Sequence, residues 1–240
     1  VLITTRRHSD APADFCDMPP LPLAEAVQLL QSWAGTMASD EKICQSIVAL
    51  GGLPLAVFLA GRYMAHKRQL GCEYLTWLEK TPLEALHQGE REHRSIPLLM
   101  EHSLKQVSDP ARACLGVTGI LALQPFEAEI MDIALEISAD DANRSLGELV
   151  DFGLLIRPDN RYQITHALAH TYARAWLTSP DSALTRLAEY YEDFIREQMQ
   201  RGQTRYALLD SQRDHILAVR SACNRAGLWE AARTITWAIE

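Results

Sequence analysis

Several features that would define a function by themselves are absent from this chain. It has no G-x-x-x-x-G-K-[ST] phosphate loop, no C-x-x-C pair and no apolar run long enough to cross a bilayer. Without the phosphate loop, the chain lacks the segment that holds phosphate and magnesium in P-loop proteins. The five cysteines are odd in number and widely scattered, so we expect reduced thiols and a cytoplasmic location.

Composition and charge are those of an ordinary globular protein. Hydrophobic residues make up 48% of the chain and charged residues 22%. The net charge of -8 at pH 7 disfavours non-specific binding to nucleic acid. At 240 residues, the chain is long enough to hold more than one compact unit.

Apolar residues recur at helical spacing along most of the chain, which predicts a mainly α fold. Helices are predicted at 23–34, 39–50, 54–66, 74–86, 96–107, 109–121, 127–135, 139–152, 166–177, 182–200, 208–225 and from 229 onward. A buried strand is predicted at 1–3, of the kind found in a parallel sheet. A β-hairpin is predicted at 154–164, with its turn at 158–160.

The order of these elements predicts separate structural units. Three helices, a hairpin and a closing helix are typical of a winged-helix fold. The helix pairs from residue 182 onward are typical of a helical repeat, and the turn at 227–232 resembles the turn between tetratricopeptide-like helices. A polar linker at 87–94 precedes the winged helix.

The segment Gly51-Gly52-Leu53-Pro54-Leu55-Ala56 lies between two of the predicted helices. Glycine ends a helix readily because it takes the left-handed conformation at little cost. Proline suits the first turn of the next helix, where no backbone N–H is needed. The segment therefore predicts a tight corner between two helices.

This corner resembles the GLPLA motif of NB-ARC proteins, a branch of the STAND class of signalling ATPases. Two further segments extend the resemblance. Residues 1–6 are similar to the sensor strand of the family, which ends in Thr-Thr-Arg, and residues 162–166 resemble the strand and histidine of its MHD motif. The three motifs occur in the family's order and span roughly residues 1–175.

The resemblance implies four parts in this chain. They are the end of an α/β nucleotide-binding domain at 1–20, a small helical domain at 21–86, the winged helix at 87–178 and the start of TPR-like repeats at 179–240. In this family the phosphate loop lies upstream of the sensor strand. We therefore expect the chain to be the middle of a larger protein, which would be a slow ATPase, and we expect the chain alone not to hydrolyse ATP.

The resemblance also implies three nucleotide contacts and no catalytic residue or metal ligand. Arg6 would read the terminal phosphate, Pro54 would lie against the adenine, and His166 would reach the β-phosphate of ADP. The magnesium ligands would lie outside this chain. Two positions depart from the MHD pattern, since Thr165 replaces Met and Ala167 replaces Asp. The carboxylate that is expected to brace the hinge in the family is therefore absent from this chain.

The implied function is a nucleotide-dependent signalling switch. ADP would hold the protein closed, and exchange for ATP would open it and drive homo-oligomerisation. Ligands or protein partners would bind at the helical repeats. No membrane contact is expected.

Two other classes of function stay open. One is a DNA-binding regulator that uses its winged helix, although the predicted recognition helix at 139–152 carries four carboxylates and a single cation, Arg144. The other is a helical scaffold that binds proteins and no nucleotide. His166 and His170 have a spacing that suits zinc, but the sequence offers neither the glutamate of H-E-x-x-H nor a third ligand.

Overall fold

The computed structural model describes residues 21–51, 54–80, 100–177, 180–200 and 206–239. Over these residues the protein is mostly helical with one sheet of two short strands, which confirms the predicted mainly α fold. The predicted strand at 1–3, Arg6 and the linker at 87–94 lie outside the described residues. No described helix is long and apolar enough to cross a membrane.

The first group of helices is a small bundle. It comprises α1 (Leu23–Ala34), α2 (Glu41–Gly51), α3 (Pro54–Lys67) and α4 (Gly71–Lys80), with a 3₁₀ turn (Gly35–Ala38) after α1. α1 packs mainly on α3. The two helices approach closely because Gly61 has no side chain, and a Cβ built there would lie 2.7 Å from the Cβ of Trp33.

The second group of elements follows the order predicted for a winged helix. A helical segment at 100–104 comes first. It is followed by α5 (Asp109–Thr118), α6 (Glu129–Leu135), α7 (Ala139–Asp151), β1 (Leu155–Ile156), β2 (Gln163–Ile164) and α8 (Ala167–Trp176). Ser108 caps α5 and Ser138 caps α7, since each hydroxyl accepts a hydrogen bond from a backbone N–H of the first turn.

The hairpin of this unit has a longer connection than the sequence predicts. β1 and β2 pair antiparallel with Leu155 opposite Ile164, so residues 157–162 form the connection in place of the predicted turn at 158–160. Tyr162 pairs instead with Phe126, through two backbone hydrogen bonds of 2.8 Å. The segment before α6 is therefore a third extended segment, which pairs with the hairpin connection at Tyr162.

The third group consists of α9 (Asp181–Gln200), α10 (Tyr206–Arg225) and α11 (Trp229–Ile239), which pack on one another. A left-handed glycine, Gly227 at φ 76°, lies between α10 and α11 as the turn pattern predicts. α9 also packs on α6. There Arg186 donates a hydrogen bond to the carbonyl of Ala134 (2.8 Å) and pairs with Glu136.

Candidate functional site

His166 is the N-cap residue of α8, and its imidazole is exposed. Its Nδ1 accepts a hydrogen bond of 3.1 Å from the backbone N–H of Leu168. A ring nitrogen that accepts in this way carries no hydrogen, so in the neutral ring the hydrogen lies on Nε2. The cap therefore leaves an exposed N–H donor at the opposite side of the ring.

The residue before His166 fixes the approach of the chain to α8. The hydroxyl of Thr165 donates to the carbonyl of Gly153 (2.7 Å), and its backbone N–H donates to the carbonyl of Leu154 (3.2 Å). A methionine at this position would have no hydroxyl to make the first bond. These two bonds hold Thr165, the residue next to His166, against the residues that follow α7.

The end of α7 packs against α3 of the small bundle at Gly153. This glycine has φ 72°, which L side chains rarely adopt. A Cβ built on it would lie 2.8 Å from Cε1 of Phe58 and 3.0 Å from Cγ of Arg62. Only glycine gives both the conformation and the space for this close approach.

Basic side chains of α3 surround the carboxyl end of α7. Arg62 donates a hydrogen bond to the carbonyl of Val150, and its guanidinium lies 5.7 Å from the ring centre of Trp33. Lys67 lies 5.4 Å from the ring centre of Phe152. Cations at a helix carboxyl end interact favourably with the helix dipole, so these contacts stabilise the docking of α7 on α3.

Pro54 is exposed at the first position of α3, where its missing N–H costs nothing. It lies one helical turn before Phe58. The two predicted nucleotide contacts in the described residues are therefore linked by a short series of interactions. The series runs from Pro54 along α3 to Phe58, then through Gly153 and Thr165 to His166.

His170 does not share the environment of His166. Its ring is buried, and Nε2 lies 2.9 Å from the carbonyl of Leu121, to which it donates. Burial lowers the pKa of His170. In the described parts of the chain, no group of three or more His, Cys, Asp or Glu side chains is placed to hold a metal ion.

A second buried histidine, His215 of α10, was not singled out from the sequence. Its Nδ1 accepts from the backbone N–H of Ala122 (3.3 Å), and its Nε2 lies 3.2 Å from the carbonyl of Pro125, to which it donates. Burial lowers its pKa. His170 and His215 thus hold the same connection, the one between α5 and α6, from two different helices.

The cationic side chains of α7, the candidate recognition helix, and of the wing interact with other residues of the chain. Arg144, the one cation of α7, pairs with Asp141 at 2.9 Å. In the wing, Arg161 lies 3.8 Å from Glu127, and Arg157 lies 5.1 Å from the ring centre of Tyr162. The exposed first turn of α7 carries Asp140 and Asp141. This surface is poorly suited to a nucleic-acid backbone.

Comparison with known proteins adds no relative to these observations: no protein-family profile matches the chain, and no curated protein matches it significantly.

Proposed function

We propose that this chain is part of a nucleotide-dependent signalling switch of the NB-ARC type, in the STAND class of ATPases. The observation that carries the proposal is the hydrogen bond that the ring of His166 accepts at the start of α8. Its Nδ1 is occupied by the cap of α8, so the neutral ring offers Nε2–H to the outside. A phosphate oxygen is a strong acceptor for such a donor.

The surroundings of His166 favour an anion. The first turn of α8 carries no acidic side chain, because Ala167 stands where the family has Asp. A helix amino end presents unpaired N–H groups and a partial positive charge. A phosphate beside His166 would therefore meet no negative charge from the start of this helix. The absence of this Asp also removes the carboxylate that is expected to brace the hinge in the family.

The docking of α7 on α3 gives the proposed switch its hinge. ADP would contact Pro54 at the start of α3 and His166 just beyond the end of the wing. A ligand that contacts both elements in one arrangement favours that arrangement by its differential affinity. Arg6, the third proposed contact, belongs to the end of the nucleotide-binding domain and would contact the terminal phosphate. Replacing ADP with ATP would then shift the balance towards an open state.

The test uses the full-length protein and the substitution His166→Asn. Asparagine is a good N-cap residue, so the helix start is kept. Its amide N–H groups correspond to the Cδ2 side of the ring, so the shorter side chain leaves no donor at the position of Nε2–H. Hydrogen bonds to charged groups contribute about 1.5–3 kcal/mol, so we expect ADP to dissociate roughly 10–100 times faster. Release of a fluorescent ADP analogue measures this rate. Thr171→Ala, at an exposed site one turn further along α8, is the control and should release ADP at the wild-type rate.

A scaffold that binds proteins through its helices is the second candidate function. Trp229 and Trp237 are 66% and 67% exposed on α11, with Arg233 stacked on Trp237 at 5.0 Å. Exposed tryptophan and arginine are enriched where proteins bind one another. If this were the only function, Arg6→Ala and His166→Ala would leave the nucleotide content and activity of the full-length protein unchanged.

A further inference from the structure

A cavity of about 300 Å³ lies between the winged helix and the repeat helices. Its walls come from α5, α8 and α10 and from the residues just after them. Small residues create the space, and two arginines line it. The small residues include Gly116, Gly119, Ala222 and Ala226, and the arginines are Arg174 and Arg225. Among the residues that the structure describes, no acidic side chain lines the cavity.

Arg174 is held in place at the wall of this cavity. Its Nε donates to the carbonyl of Gly119 at 3.2 Å. A Cβ on Gly119 would lie 2.7 Å from the backbone N of Arg174, so only glycine lets the two segments meet. This bond uses one donor of the guanidinium and leaves the two terminal nitrogens, Nη1 and Nη2, for another acceptor.

Neither Arg174 nor Arg225 forms an ion pair within the described residues. Their side chains are exposed, so the mouth of the cavity is open to solvent. Two guanidinium groups at one cavity, without a carboxylate between them, form a positive site on a chain of net charge -8.

The cavity is framed by anchored helices. His170 of α8 donates to Leu121, while His215 of α10 bonds to Ala122 and Pro125. Both helices are thus fastened to the connection that follows α5. The space between them does not depend on a loop closing over a ligand.

We propose that this cavity binds a small anion that carries carboxylate or phosphate groups. Planar guanidinium groups recognise both kinds of oxyanion through paired hydrogen bonds. The volume lies at the lower end of the usual ~300–1,000 Å³ for ligand sites, which suits a small molecule better than a nucleotide. The bound anion would join α8 of the winged helix to α10 of the repeats and stabilise their docking. This site does not depend on nucleotide binding at His166.

Isothermal titration of the 240-residue chain with pyrophosphate and, separately, with citrate tests the proposal. We expect one-to-one binding of at least one probe, and the tighter of the two identifies phosphate or carboxylate as the preferred group. Arg174→Gln and Arg225→Gln should each weaken binding about tenfold or more, since charge-assisted hydrogen bonds are lost. The control is Arg213→Gln, also exposed on α10 but outside the cavity, and it should bind as the wild type does.

A second variant separates the cavity from general surface charge. Ala226→Phe adds a ring at an exposed wall position and keeps both arginines, so it should block binding without disturbing the core. Thermal melting by circular dichroism verifies that each variant is folded. The proposal is overturned if neither probe binds the wild-type chain at millimolar concentration. It is also overturned if Arg213→Gln weakens binding as much as Arg174→Gln, or if folded Ala226→Phe binds with unchanged affinity.

Discussion

Phe58 lies directly against the backbone of Gly153, and this contact joins the small helical bundle to the winged helix. A Cβ on Gly153 would be 2.8 Å from Cε1 of Phe58, closer than real Cβ contacts allow. The same glycine accepts the hydroxyl hydrogen bond of Thr165, the neighbour of His166. A change at Gly153 should therefore reach both the docking of the two units and the candidate site.

Gly153→Ala should lower the free energy of unfolding by about 2–5 kcal/mol. A left-handed alanine costs roughly 1–2 kcal/mol, and overpacking against Phe58 adds about 1–3 kcal/mol. Urea unfolding followed by circular dichroism measures the change.

Gly147 of α7 provides a matched control for that substitution. A Cβ built there meets no atom within 4 Å. Gly147→Ala should raise the free energy of unfolding by about 0.5–1 kcal/mol, because alanine favours the helix interior. Equal destabilisation by both alanines would contradict the role assigned to the Phe58 contact.

His166→Ala should lower the free energy of unfolding by about 1 kcal/mol, because the side-chain cap of α8 is lost. His166→Asn should stay within a few tenths of a kcal/mol of the wild type, since asparagine caps helices well. Urea unfolding of both variants distinguishes the cap from the proposed phosphate contact. If His166→Asn were as unstable as His166→Ala, its effect on nucleotide release could not be assigned to the lost N–H donor.

An aspartate at position 167 should stabilise α8. A carboxylate in the first turn of a helix interacts favourably with the positive end of its dipole, by about 0.3–1 kcal/mol. Ala167→Asp should therefore raise the free energy of unfolding by about that amount at low ionic strength. Ala175→Asp, exposed near the other end of α8, is the control and should lower it instead. The same sign for both variants would exclude a dipole effect.

The stability of the chain should fall as the pH drops below about 6.5, the ordinary pKa of histidine. Burial lowers the pKa of His215 and His170 in the folded state. The unfolded chain then takes up protons first, so the stabilisation is full above 6.5 and is lost as the pH falls towards the lowered pKa. Unfolding free energies measured between pH 8 and pH 5 follow this loss.

His215→Gln should make that pH dependence shallower. A glutamine amide can accept from Ala122 and donate to Pro125 as the neutral imidazole does, but it does not titrate. At pH 8 we expect the variant to be close to the wild type, and at pH 5 to have lost less stability. An unchanged slope would show that His215 does not contribute to the acid sensitivity.

Helix positions were predictable because apolar spacing and capping residues are local signals. α1 begins at Leu23 and ends at Ala34, the range that its apolar spacing predicts. α7 begins directly after the cap Ser138. α4 begins at Gly71, ahead of the predicted start at 74, because the backbone N–H of Tyr74 already bonds to the carbonyl of Leu70. No property of the residues just before Tyr74 forced that earlier start.

Contacts between distant segments were not predictable from local patterns. The pairing of Tyr162 with Phe126 lengthens the hairpin connection, yet both residues fit a hairpin or a core equally well in the sequence. The same holds for the approach of Phe58 to Gly153. Glycine after a helix predicts an end to the helix, but the neighbour that excludes a side chain there comes from another part of the chain.

The candidate site was predictable only in part. The sequence predicts a helix at 166–177, and α8 begins one residue later with His166 as its cap. The structure adds the hydrogen bond from Leu168 to the ring of His166 and the bond from Thr165 to Gly153. His215 gave no motif to find. A polar residue beside the apolar Ile216 and Val219 in a predicted helix was the available signal that its ring is buried.

The nucleotide content of the full-length protein tests the central claim most directly. The protein would be purified under native conditions and denatured, and the released nucleotide quantified by chromatography. The proposed switch predicts close to one ADP per chain, with loss of that ADP in His166→Asn. A well-folded protein that releases no nucleotide would contradict the switch and favour the helical scaffold.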